Sequence, residues 1–211
     1  MFETFPDLLH RMEAFKSWTG QRDELSRRID SIQRKLFNAM FFVEQAQTYP
    51  GSLTGRALDS VREMRALDAY SDGAMAELHG ALDMLASALS QRHELSNRQG
   101  RPYSFAQMFD QSGLLDPNVA DAVDSVAKDL LEQLMAQAKN LIDENNGAKH
   151  AGMGDVFLYP ADYPDFLKDL SAQLLPEVTT GKNIREWLDS LRTRTADLGE
   201  AICRLLPILF N

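Results

Sequence analysis

The residues able to do chemistry concentrate at one corner, Asn145-Asn146-Gly147-Ala148-Lys149-His150. An imidazole such as His150 titrates near neutral pH and can serve as general acid or base. Lys149 beside it can stabilise an anion. Asn145 and Asn146 add hydrogen-bonding groups, and Asp143, Glu144 and Asp155 lie close in sequence. Asp143, Glu144, His150 and Asp155 follow no metal-ligand spacing, so no metal is expected. The corner has a purely structural reading too. Asn-Asn-Gly tolerates left-handed backbone and ends helices, and a Lys-His pair there suits the helix dipole.

The remaining reactive residues read as structural. His10 and His79 fall within helical patterns, and His93 sits in a charged last turn, where a cation suits the dipole. Cys203 is the only cysteine, so no internal disulfide can form. It flanks an apolar seam and is expected to pack rather than react. Thr179-Thr180-Gly181-Lys182 lacks the first glycine and preceding strand of a phosphate-binding loop. The zinc-helix HExxH, the Glu-x-x-His pair of di-iron bundles and the GxSxG elbow are all missing. No cofactor is expected.

The corner must be held by the stretch before it. Asp116 can cap a helix opened by Pro117, with apolar residues at Val119, Val123, Val126, Leu130, Leu134, Ala138 and Leu141. This predicts one helix from 116 to Asn145, stopped by Asn145-Asn146-Gly147. A long helix is predicted from Gln21 to Gln47, with Leu25, Ile29, Ile32, Leu36, Met40 and Val43 on one face and Phe37, Phe41 and Phe42 flanking it. Residues 54–70, with Leu58, Val61, Met64 or Arg65, and Leu67 on one face, read as another helix, interrupted or kinked at Ser71-Asp72-Gly73. A further helix runs from Met75 through Leu78, Leu82, Leu85 and Leu89 to about Leu95. Small Gly80, Ala81, Ala86 and Ala88 would let a neighbouring helix approach closely.

Tyr49 to Ser52 and Asn97 to Pro102 read as turns. Ser104 is expected to cap a short helix from Phe105 to Gln111, ended by Gly113. Residues 151–162 are not helical by pattern, and Val156 to Tyr159 reads as extended backbone laid on the helices. Short helices are predicted over 4–17 and 163–175. The last helix starts near Thr180, with Ile184, Leu188, Leu191, Thr195, Leu198, Ile202 and Leu205 in a coiled-coil-like seam, ended or kinked at Pro207. The expected architecture is all-α: a single helical bundle of about five long and three short helices with one extended loop near 151–162. It forms one domain over 1–211, with residues 1–20 a loosely attached N-terminal helix.

The 211 residues suffice for one domain with a sizeable core. The net charge is −9, and it is uneven: residues 1–100 hold 12 basic against 14 acidic residues, and 101–211 hold 10 against 17. An acidic body disfavours broad nucleic-acid binding. Arg11, Lys16, Arg22, Arg27, Arg28, Arg34 and Lys35 make a local exception, which interspersed acids turn into solvated helix faces. The opening MFETFPDLLHRMEAF is charged too early for a secretory signal, and the longest apolar run, Leu205 to Phe210, is far too short to cross a bilayer. A cytoplasmic, reducing setting without membrane contact is expected.

Asn146-x-x-Lys149-His150-x-Gly152 resembles the end of the third main helix in HEPN proteins (higher eukaryotes and prokaryotes nucleotide-binding). These are small all-α bundles, many of them dimeric ribonucleases of toxin or phage-defence systems. Their active members carry Arg, a polar residue, and then His; divergent members show an Asn-x-x-Lys-His-Gly-like end. The order of elements over 21–205 is also similar. By this resemblance His150 matches the histidine, and Asn145 or Asn146 stands where the arginine would be. Lys149 is then the only cation for a phosphate, within a stretch, 110–169, holding 4 basic and 12 acidic residues.

Two functional expectations follow. One is a non-catalytic bundle that binds another protein or itself, through the Leu/Ile seam of the last helix and the Phe37, Phe41 and Phe42 cluster, as a divergent HEPN-like member of a bacterial or phage defence or stress system. The alternative is a HEPN-like ribonuclease or nucleotide-binding enzyme using His150 and Lys149, with RNA as its partner. A ligand pocket lined by Phe157, Tyr159 and Tyr163 is a third reading, against which these aromatics would simply anchor the loop.

Overall fold

In a computed structural model of the chain, the structure describes residues 24–48, 61–150, 158–159 and 182–210. The described chain is helical: α1 (Glu24–Thr48), α2 (Val61–Arg92), the short α3 (Pro117–Ala122), α4 (Ser125–His150) and α5 (Ile184–Phe210). The helices expected over 4–17 and 163–175, and the turn at Tyr49 to Ser52, lie outside the described residues.

α1 follows its pattern. Ile29, Ile32, Leu36 and Val43 are buried with Ala39 and Ala46, and Met40 is half-buried. Its most extensive partner is α2, which buries Leu78, Leu82, Leu85 and Leu89. Removing each leucine-sized side chain from water stabilises the fold by about 1.5–3 kcal/mol. Ala74, Ala81, Ala86 and Ala88 are also fully buried, as close helix packing requires.

The interruption expected at Ser71-Asp72-Gly73 is absent, so one helix runs where two were predicted. A mid-helix glycine costs about 1 kcal/mol. Here it also creates space: a Cβ on Gly73 would lie 3.0 Å from the Phe42 ring of α1. The Phe42 contact offsets what the glycine loses in propensity. α2 ends at Arg92 rather than near Leu95, where Glu94 turns left-handed (φ 54°) and the Leu95 N–H donates to the Ser90 carbonyl at 2.7 Å.

The helix expected from Phe105 to Gln111 shrinks to a single 3-10 turn, Ala106–Met108. Ser104 does not cap it through its side chain. The Phe105 N–H instead donates to the Asp83 carboxylate on α2 at 2.9 Å, and Phe109 runs extended to bridge Leu115. Gly113 takes the left-handed turn (φ 83°) between them.

The helix expected from 116 to Asn145 is also divided. Asp116 caps α3, its side chain accepting from the Asn118 N–H at 3.0 Å. The chain then extends at Val123, and Asp124 caps α4 by accepting from the Ala127 N–H at 2.8 Å. This break shifts the helical phase: Val126 turns out to solvent while Ala127, Leu131, Leu134, Ala138 and Leu141 turn inward. α4 also continues through Asn145-Asn146-Gly147 to His150 instead of stopping there.

In α5, Leu188, Leu191, Thr195, Leu198, Ile202 and Leu205 are all buried. Thr195 offsets its polarity by donating its hydroxyl to the Leu191 carbonyl at 2.7 Å. α5 begins at Ile184 rather than near Thr180, because Lys182–Asn183 pairs in parallel with Leu158–Tyr159. That pairing bears out the extended backbone expected at Leu158 and Tyr159. Pro207 lies inside α5, which runs on to Phe210.

Candidate functional site

The structure places Asn145, Asn146, Lys149 and His150 together on the last turns of α4. Helical periodicity puts Asn146 three residues before Lys149 and four before His150, so these positions share a face. Asn145 lies four before Lys149, on the adjoining line. The side chains of these four residues lie outside the described part of the chain. Asp143 is exposed and makes a wide 4.0 Å ion pair with Lys139, a pairing that contributes little on an open surface. Among the described residues, no group of three or more His, Cys, Asp or Glu could hold a metal ion. The side chains of Glu144 and His150 lie outside those described, and Asp155, like the pocket aromatics Phe157 and Tyr163, lies outside the described residues altogether. Tyr159 is described only as the backbone partner of Asn183.

Two further histidines are placed. His79 is buried on α2, with Nε2 3.9 Å from the Asp83 carboxylate that also accepts the Phe105 amide. His93 follows the last residue of α2. Partial burial lowers its pKa, and neighbouring Arg92 lowers it further. Both effects act against the cation that a helix end would favour. Cys203 is buried, as its place beside the seam implies.

The basic run is partly consumed by the fold. Arg28 donates to Gln91 Oε1 at 2.7 Å and to the Ser87 hydroxyl, and Lys35 pairs with Glu77 at 3.1 Å across Gly80. Asn38 also reaches Glu77, at 3.4 Å. These contacts tie α1 to α2.

The structure sets two of the phenylalanines that the sequence singles out, Phe37 and Phe41, on the outer side of α1. Arg27, Asp30, Arg34, Phe37, Phe41 and Glu44 are all exposed, at alternating steps of three and four. Phe37 is 47% exposed and Phe41 46%. The sequence does carry the signal: a second heptad series on the face opposite Ile29, Ile32, Leu36 and Val43. Phe42 turns sideways, its ring 6.0 Å from Phe41 and 6.5 Å from Tyr70 of α2.

A polar cleft of about 290 Å³ opens beside the 97–102 turn, lined by Asn97, Arg98, Gln99, Tyr103, Gln107 and Asp116. The Asn97 side-chain Oδ1 accepts from the Gln99 and Arg101 backbone N–H groups, and its Nδ2 donates to Gln107 Oε1. Those groups serve the turn.

No helix among the described residues is long and apolar enough to cross a membrane. No family model matches this chain, and neither a curated protein nor a solved structure matches it.

Proposed function

We propose that this chain is a single helical bundle that works without catalysis, by binding another protein or itself through the outer face of α1. The observation that carries this reading is the pair Phe37 and Phe41. They lie one helical turn apart and nearly half exposed, while among the described residues Leu78, Leu82, Leu85 and Leu89 of α2 and Leu188 to Leu205 of the α5 seam are buried. Each ring keeps nearly half of its surface exposed, and contiguous exposed apolar surface marks interaction sites. Aromatic anchors ringed by charged residues, here Arg34 and Glu44, match the anatomy of protein interfaces. A cytoplasmic role in a defence or stress system, as a divergent HEPN-like protein, fits this reading.

The test is the size of the full chain in extract from its own cells. The wild type should elute well above its monomer mass of 23.7 kDa. A Phe37→Ser, Phe41→Ser variant with unchanged helix content should elute as the monomer. Equal elution of both proteins would sink the proposal.

A second reading is favoured by one observation, the continuation of α4 to His150. A continuous helix sets Asn146, Lys149 and His150 on one face, the arrangement a HEPN-like nuclease or nucleotide-binding enzyme would use. His150 would act as acid or base, Lys149 would hold a phosphate, and Asn145 and Asn146 would position the substrate. On that reading His150→Ala abolishes RNA cleavage or host toxicity without loss of helix. A wild-type protein that neither cleaves RNA nor slows growth rules it out.

A further inference from the structure

Hydrogen-bond accounting in the cleft beside the 97–102 turn leaves it rich in spare donors. Asn97 Oδ1 accepts from two backbone N–H groups, and Gln107 Oε1 accepts from the Ser104 N–H at 3.2 Å. A backbone N–H can only donate, so both side-chain oxygens are committed to the turn. What these residues have left are amide hydrogens: both on Gln107 Nε2, and the one on Asn97 Nδ2 that does not go to Gln107. Tyr103 adds a further donor. It is only 7% exposed, and its backbone N–H is held by the Ser90 hydroxyl at 3.1 Å. Among the described residues its own hydroxyl has no hydrogen-bond partner, although it is not sealed from solvent. A phenol this deeply buried ordinarily finds a partner, and the cleft is the opening that Tyr103 lines.

Two opposite charges complete the lining. Arg98 is exposed, and among the described residues its guanidinium makes no ion pair or hydrogen bond. The surrounding stretch is locally basic in a chain of net charge −9: residues 92–107 hold Arg92, Arg98 and Arg101 against Glu94. Asp116 commits Oδ1 to the Asn118 N–H, and among the described residues Oδ2 has no partner. The frame is fixed before any ligand arrives. The Asn97 N–H donates to the Arg101 carbonyl and the Asp116 N–H to the Met108 carbonyl, both at 2.8 Å. Such preorganisation lowers the cost of binding.

We infer that this cleft binds a small zwitterion, an α-amino acid. Its carboxylate takes the Arg98 guanidinium and the spare Gln107, Asn97 and Tyr103 donors, and its ammonium takes Asp116 Oδ2. Arginine and amide donors suit a carboxylate, and a carboxylate acceptor suits an ammonium. A lone anion would leave Asp116 as a like charge beside it. The volume of about 290 Å³ lies at the small end of ligand pockets, which suits a ligand of this size. The cleft is open, so the dissociation constant is on the order of 1 mM. This site is separate from the α1 face and stands or falls independently of it.

Titration of the isotope-labelled full chain, followed by NMR, tests this. The probes are the common L-amino acids, each alone, with acetate and methylammonium as the two half-ligands. At least one amino acid should shift the side-chain signals of Gln107 and Arg98, and each half-ligand should bind about tenfold more weakly or less. Arg98→Gln and Tyr103→Phe should each weaken that amino acid several-fold; the second keeps the buried ring. Asp116→Asn retains an oxygen to cap α3 and removes the charge, so it should weaken the amino acid about tenfold without weakening acetate. If no amino acid moves these signals at tens of millimolar, the site is overturned. Acetate binding as tightly as the best amino acid, or an Asp116→Asn chain that binds the amino acid unchanged, overturns the zwitterion assignment.

Discussion

Asp83 on α2 accepts the backbone N–H of Phe105 at 2.9 Å, which fixes the segment between α2 and α3 to the helix core. Phe105 is fully buried and its ring lies 5.2 Å from Phe109, so its amide has no ready access to water. Asp83→Ala leaves that donor unsatisfied and should cost about 1–3 kcal/mol in urea unfolding. Asp83→Asn keeps an acceptor oxygen and should cost clearly less. Equal losses for the two variants would show that charge, rather than the acceptor, is what matters.

Thr195 makes the opposite case within α5. It is buried, and its hydroxyl is satisfied by its own helix at Leu191. Thr195→Val removes the hydroxyl together with its need for a partner, so stability should stay within about 1 kcal/mol of wild type or rise. Thr195→Asp would bury a charge in the seam and should unfold the protein or lower its melting temperature sharply. Thermal melts of the two variants check both outcomes.

Two groups set a pH dependence of opposite sign. Burial, aided by Arg92, lowers the pKa of His93, so the folded state prefers the neutral ring. Its contribution is fully present above the unfolded value near 6.5 and is lost as pH falls through the lower folded pKa. His93→Gln should therefore lose less stability than wild type between pH 7.5 and 5. Asp72 is raised by burial alone. Its folded state prefers the protonated acid, so it stabilises at low pH, and that benefit disappears as pH rises through the folded pKa. Asp72→Asn should be more stable than wild type at neutral pH, with the gap closing in acid. Denaturant midpoints across pH measure both effects.

The apolar stripe of α1 and the seam of α5 were legible in sequence because burial there follows local periodicity, from Ile29 to Val43 and from Leu188 to Leu205. The failures have long-range causes. Gly73 reads as a break until the Phe42 ring is seen lying over it. Phe105 reads as helical until Asp83 takes its amide. Val123 gave no warning of a phase slip, because its apolar side chain fits the expected stripe equally well. The Asn145–His150 corner was legible as a cluster, but Asn-Asn-Gly suggested a stop where α4 continues. On α1 the phenylalanines stood out in the sequence, and the structure leaves Phe37 and Phe41 nearly half exposed.

The most direct test of the interaction face is a photoreactive residue at position 41 in the living cell, with the more exposed position 126 on α4 as control. The account predicts a discrete protein adduct from position 41 and none from position 126. Adducts that are absent from both positions, or the same from both, would contradict it.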